Sequence, residues 1–316
     1  FTTRRSFDLT AVGEFGFYLV GALIAGNDLT TPTAGGTITI NATGNSKYGL
    51  QINAGSLISK GDISITAATL SGNLHGFRFE GASGVVRTAS NITIQATSTD
   101  WAMTIYGSRI IQSTGGNISV TASGAGGLYV HDGGGIVASN DTTNPTTATP
   151  TSGGTLTINA TGSSWYGIQM VNGSLISNGA MSVTARGAGA YQGAYIYGTG
   201  TFKAVGDITI DAATSGGQWG LDFSASRIMQ STAGNIDITA AGDYGMYLNG
   251  SIVAGNDTVT PTNGGTITLS ATALGNGDYK GIQLHTNASI LAWGGISITG
   301  NAVPNGVNNS TGGNYG

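Results

Sequence analysis

The sequence predicts an all-β fold: a parallel β-helix, or β-solenoid, with three strands per coil and about ten coils. Three observations carry that prediction. GGTITINATGNSKYGLQI from Gly35 returns as GGTLTINATGSSWYGIQM from Gly153 and GGTITLSATALGNGDYKGIQL from Gly264, steps of 118 and 111 residues. Repetition at this range is the signature of a stacked, quasi-one-dimensional architecture. Inside it lies a shorter period, a strand-like x-I-x-I-x-A motif whose last residue recurs from Ala11 to Ala271, with Gly300 in an eleventh copy. Glycines (Gly35, Gly36, Gly61, Gly116, Gly234, Gly265) mark the places where each coil must bend.

Each coil divides into three short strands. The first is seen at 37–42, where Ile38 and Ile40 alternate with Thr37, Thr39 and Asn41. Strict alternation is the period-2 pattern of a strand with one dry and one wet face. The second follows a loop and carries apolar pairs two residues apart: Leu50 and Ile52, Phe77 and Phe79, Met103 and Ile105, Leu128 and Val130, Ile168 and Met170, Leu221 and Phe223. The third is a Ser-Leu-Ile-Ser type run at 56–59, 174–177 and 251–253. Its adjacent apolar residues, such as Leu57 and Ile58, do not alternate, so the pattern leaves open which one points inward. Equivalent strands of successive coils run in one direction and must pair in parallel. The coils come in sets of four, so residues 1–316 read as a single solenoid of four-coil blocks, 111–118 residues each.

Composition limits the partners. Lys and Arg number 11 against 15 Asp and Glu, for a net charge of −4. That balance excludes a nucleic-acid partner, which needs clustered cations; Arg4 and Arg5 are the only adjacent basic pair. Cysteine is absent, and no apolar stretch is long enough to span a membrane. The chain opens on Phe1 without a signal peptide, as a processed or excised piece would. FTTRRSFDLTA aligns with QSTAGNIDITA at Gln230, and Asn314-Tyr315-Gly316 with Leu74-His75-Gly76. Both ends therefore fall in mid-coil without a cap. The expectation is a segment of a longer rod, or a subunit that stacks head to tail.

Four features were weighed as sites. Asp211 and Asp237 fall on outward positions of adjacent coils, at a spacing of ~8 Å that suits an inverting carboxylate pair. No His or Lys joins them in the pattern, and the same positions carry Thr or Ser in other coils, so two solvated acids are the better reading. Gly26-Asn27-Asp28, Ser139-Asn140-Asp141 and Gly255-Asn256-Asp257 each precede a Thr/Pro-rich stretch. One carboxylate per loop is too few for calcium, and turn formation accounts for the motif. A hydroxyl column from Thr39 through Ser64, Thr93, Ser119, Thr157, Ser182 and Thr209, broken at Asp237 and resumed at Thr268 and Ser297, resembles the Thr-x-Thr strands of ice-binding solenoids; β-propensity alone also explains it. Tyr18, Tyr129 and Tyr247 recur outward on the second strand near Trp101, Trp165 and Trp219. Such rings grip sugars or another protein, or pack at a coil corner; the pattern leaves both open. The sequons at Asn41, Asn91, Asn117, Asn159, Asn172 and Asn249 arise by chance in so Asn- and Thr-rich a chain. No residue is assigned a catalytic, cofactor or metal-binding role.

The x-I-x-I-x-A strand with glycine-rich corners, repeated along the entire chain, resembles the haemagglutinin-type repeats of large bacterial exoproteins. That family includes two-partner-secreted adhesins related to filamentous haemagglutinin and some autotransporter passengers. The coils here are longer than typical, and the four-coil block with Thr/Pro loops departs from the pattern. The resemblance implies an extracellular rod or filament of a bacterial surface, adhesive and not enzymatic, whose partners are a glycan or cell-surface receptor and further coils of its own kind. A polysaccharide-processing β-helix enzyme and a passive ice- or glycan-binding solenoid are the alternatives.

Overall fold

A computed structural model describes residues 6–27, 33–72, 74–141, 146, 150–225, 227–275 and 279–302. Arg4, Arg5, Asp28 and the 314–316 segment lie outside those residues. The described chain is all β and forms three parallel sheets of eleven, ten and ten strands, each joining every third strand in chain order. The first sheet runs from Phe7–Gly13 to Ile296–Ala302, the second from Phe17–Leu19 to Ile282–Leu284, the third from Ala22–Ala25 to Ser289–Ala292. This is the three-stranded solenoid that the sequence predicts.

Register follows the motif residue for residue. Ile38, Ile40 and Ala42 pair with Ile63, Ile65 and Ala67, and those with Ile92, Ile94 and Ala96. From Ala42 to Ala271 the alanine of each motif is no more than 2% exposed. Inward residues of all three sheets meet in one continuous apolar core that holds Phe77, Phe79, Phe202 and Phe223. The dry face of the first sheet stays aliphatic because each inward side chain stacks on its equivalent one strand spacing away, about 4.8 Å along the rod.

At the corner before the first sheet, a Cβ on Gly116 would lie 2.5 Å from the Ser90 carbonyl carbon, and one on Gly234 2.5 Å from the Asp207 amide nitrogen. Close approach of the preceding coil, not a left-handed φ, excludes a side chain at both. Beside the glycines runs an Asx ladder that the sequence did not reveal. The Asp62 Oδ1 accepts from the Asn91 amide, the Asn91 Oδ1 from that of Asn117, and the Asn117 Oδ1 from that of Thr155, at 2.9–3.0 Å. Asp207, Asn235 and Thr266 repeat the ladder in the next block. The sequons at Asn91 and Asn117 are thus spent on joining coils.

The third sheet settles which of Leu57 and Ile58 faces inward. Leu57, Val86, Ile111, Leu175 and Ile252 belong to the core, whereas Ile58, Val137, Ile176 and Val253 stand on the outer side and are buried there. The outer side meets backbone that follows its own strands: the Gln112 amide donates to the carbonyls of Ser139 and Asp141, and the Gln230 amide to that of Gly255. Apolar residues stand on both sides of this sheet, so alternation disappears from its sequence.

The central coils tolerate little change of volume inside and much outside. Ile94→Ala should destabilise the protein by roughly 2–5 kcal/mol and Ala96→Leu by about 1–3 kcal/mol. Thr93→Ala should stay within about 0.5 kcal/mol. Chemical denaturation midpoints of the three variants check the order; equal effects would contradict the placement of the core.

Candidate functional site

Parallel, in-register pairing turns each outward position into a row along the rod. On the second sheet one row reads Tyr18, Gln51, Arg78, Thr104, Tyr129, Gln169, Tyr195, Asp222, Tyr247 and Gln283. Neighbours in such a row stand about 4.8 Å apart, within the separation at which aromatic rings attract one another. Further rings enter from the corner before the strand (Tyr48, Trp101, Tyr166) and from its end (Tyr106, Tyr197).

The result is a ribbon of rings. Phe15 lies 6.2 Å from Tyr48, which stacks on His75 at 5.7 Å; His75 meets Tyr106 at 6.4 Å, and Tyr106 meets Tyr129 edge-on at 5.5 Å. Trp101 stacks on Tyr129 at 5.1 Å and on Tyr166 at 6.3 Å; Tyr195 follows at 5.7 Å and Tyr197 at 5.9 Å. Asp222 interrupts the series. Beyond it Trp219 contacts Tyr244 at 4.7 Å and Tyr247 at 5.5 Å, and Tyr247 contacts His285 at 5.8 Å. The sequence posed binding against corner packing as alternatives, yet the rings pack on one another and still present a surface. Tyr18 is 48% exposed and Tyr197 44%; Tyr129, Tyr247, Trp101, Trp165 and Trp219 are half-buried.

Electrostatics keep the ribbon nearly neutral. Burial, helped by the charge of Arg78, pushes His75 down to about 4, so its imidazole is uncharged at neutral pH. Burial pushes the Tyr129 phenol up to about 12. Arg78 lies between the rings of Tyr48 and Tyr106, 5.2 and 5.0 Å from their centroids, and pairs with Glu80 at 2.6 Å. Its guanidinium also donates to the Tyr48 hydroxyl at 2.6 Å, and Gln51 donates to Glu80 at 2.5 Å. Asp222 is the exception: burial pushes its carboxyl up to about 6, which Ser224 and Gln192 offset only in part. A surface of this kind offers flat apolar faces with amide, carboxylate and guanidinium groups between them. Flat rings of this kind can stack on the C–H face of a sugar or on an apolar protein surface.

The other candidates fare differently. Asp211 is occupied: Arg186 from the preceding coil donates to both its oxygens, one bond measuring 3.0 Å. In register Asp211 faces Thr239, while Asp237 faces Thr209 and Thr268. The two carboxylates are diagonal neighbours, with one committed to an ion pair. The partner was legible once register was fixed, because Arg186 lies two residues beyond Thr184, which pairs with Asp211. In the loops the asparagine acts as a clamp. The Asn256 Oδ1 accepts from the amides of Thr262 and Asn263, and its Nδ2 donates to the Thr262 hydroxyl at 3.1 Å; Asn27 and Asn140 bind their own loops in the same way. Asp257 accepts from the amides of Thr260 and Val259, which lower its pKa. Turn chemistry accounts for these loops. Among the described residues no group of three or more His, Asp or Glu is placed to hold a metal ion. The hydroxyl column is a true row, in register from Thr39 to Ser297 with Asp237 within it.

The chain matches no protein family, no curated protein and no solved structure. The class that its own geometry defines is the parallel β-solenoid.

Asp222 supplies a pH test. Its folded pKa lies above the ordinary value of 3.8, so ionisation favours the unfolded chain, and stability falls as pH rises from about 4 through 6. Asp222→Asn should therefore raise the melting temperature at pH 7.5 and leave it unchanged near pH 4, measured against the native chain. His75 acts in the opposite sense between about 6.5 and 4, but equally in both proteins, so it cancels from the difference.

Proposed function

We propose that the chain is a stiff extracellular rod of a bacterial surface that works in adhesion, by cell–cell or matrix contact, and that the ring ribbon is its contact surface. The observation that carries the reading is the continuity of that ribbon, from Phe15 to Tyr197, over an uninterrupted core. Half-buried aromatics held by their neighbours bind with little loss of rotamer freedom, which favours a surface made for contact. The rod supplies reach: ten spacings of the first sheet extend roughly 48 Å.

Regularity also distinguishes this reading from catalysis. An active site on a solenoid breaks the pattern with clustered acids and bases, whereas Asp211 here is paired with Arg186. A glycan or cell-surface receptor is the partner proposed for the second face. No described helix is long and apolar enough to cross a membrane.

Beads coated with the chain should adhere to polysaccharide- or cell-coated surfaces. Replacing Tyr18, Tyr129 and Tyr195 together by Ser should lower attachment about tenfold or more, since contact hot spots cost over 1 kcal/mol each. Unchanged attachment would contradict the role of the ribbon, and release of reducing sugar from the polysaccharide would favour the enzyme.

A further inference from the structure

On the second sheet the strand Ile168–Val171 turns Ile168 and Met170 into the core, and so Gln169 and Val171 outward. In register Gln169 stands between Tyr129 of the preceding coil and Tyr195 of the following one. The two tyrosines are two strand spacings apart, about 9.6 Å, and the amide between them leaves a trough in the ribbon. Val171 extends its floor. Tyr166 stands at its corner end, 6.3 Å from Trp101 and 5.7 Å from Tyr195. Interplanar angles of 27°, 11° and 22° link Tyr129 to Trp101, Trp101 to Tyr166 and Tyr166 to Tyr195, so the rings around the trough are tilted alike.

Gln169 is the open member. Like both tyrosines it is half-buried; its amide makes no hydrogen bond among the described residues, and neither its oxygen nor its nitrogen is shut off from solvent. Its equivalent in the first block is committed: Gln51 stands between Tyr18 and Arg78 and donates to Glu80 at 2.5 Å. Gln283, the copy in the third block, has a ring on one side, Tyr247. Among the described residues, a free amide with a tyrosine on either side in this row occurs once. Burial raises the pKa of Tyr129, to about 12, and those of Tyr166 and Tyr195, so the trough is uncharged at neutral pH.

These features select the occupant. A flat ring seated over Gln169 lies one strand spacing, about 4.8 Å, from each tyrosine, within the separation at which ring faces attract. The carboxamide beneath it both donates and accepts, so the ring must carry hydroxyls at its rim. An apolar protein side chain would fill the gap but bury that amide without a partner, which is costly. An acidic sugar gains nothing from walls that hold no cation. With a tyrosine on either side, the ring must also show C–H groups on both faces. A pyranose whose substituents are all equatorial does so, whereas one axial hydroxyl sets oxygen against a tyrosine.

We infer that the trough over Gln169 is a subsite for one ring of a neutral glycan built from β-glucose-configured sugars, held between Tyr129 and Tyr195 with its hydroxyls on the Gln169 amide. The inference rests on the adhesive reading above and names the class of glycan that the second face takes.

Nuclear magnetic resonance titration of the whole chain tests it with cellohexaose, a β-linked mannohexaose and a neutral leucine-rich peptide. Cellohexaose should bind saturably and shift the Gln169 side-chain amide signals. The mannohexaose should bind severalfold more weakly, because its axial hydroxyl meets a ring. Tyr195→Ala and Gln169→Ala should each weaken cellohexaose binding roughly two- to tenfold. Gln169→Tyr completes the row of rings and fills the trough; it should abolish binding while the circular dichroism stays that of the native chain. Cellohexaose binding that survives Gln169→Tyr, equal affinity for the two hexaoses, or binding of the peptide alone would overturn the subsite, as would failure of cellohexaose to bind. The bead assay reads the adhesive claim separately. If beads attach and cellohexaose does not bind, the subsite alone fails; if beads do not attach either, the adhesive reading fails with it.

Discussion

Every coil of this protein satisfies its backbone through the coils on either side. A strand of the solenoid has no partner within its own turn, so its N–H and C=O groups must pair with the equivalent strands before and after. That requirement fixes register, and register makes each sequence position a row. The alanine column, the glycine corners, the Asx ladder and the aliphatic core are what a row needs at each place around the coil. Where backbones approach most closely only hydrogen fits, as at Gly116 and Gly234. Where an amide would be left over, an Asn or Asp side chain of the preceding coil accepts it.

The outer surfaces inherit the same logic. Hydroxyl groups alternate with core residues on the first sheet because the face is wet and β-branched residues suit a strand. The second sheet collects aromatic rings, which at one strand spacing stack along the rod and leave part of the surface of Tyr129, Tyr195 and Trp101 exposed. The third is different in kind. Its outer row mixes buried apolar residues (Ile58, Val137, Ile176, Val253) with Gln112 and Gln230, whose amides donate to the carbonyls of Ser139 and Gly255. One scaffold thus carries three faces with three chemistries.

Much of this was legible before any coordinates. The alternation around Ile38, Ile40 and Ala42 placed the first sheet, and pairs such as Phe77 and Phe79 placed the second, because each has one dry side. The Leu57–Ile58 pair defied the same reasoning for a physical reason: both residues are buried, one on each side of the sheet. Arg186 was missed as the partner of Asp211 because the pair is diagonal across coils, a relation that exists only after register is known. Gln169 was missed for the same reason, since the rings beside it belong to the coils before and after. Its signal was the return of Gly-Leu-Gln-Ile at 49–52 as Gly-Ile-Gln-Met at 167–170, a polar residue kept between two apolar ones.

The claim beneath all of this is that the blocks lie along one axis and do not fold back on each other. Cysteine is absent, so pairs of cysteines introduced at Thr39, Thr157 and Thr268 carry spin labels at those sites alone, and electron–electron dipolar spectroscopy gives the three separations. Four strand spacings should place Thr39 from Thr157, and Thr157 from Thr268, roughly 19 Å apart, with Thr39 and Thr268 roughly 38 Å apart. An outer distance equal to or shorter than the inner ones would contradict the stacked coil, and the rows that depend on it.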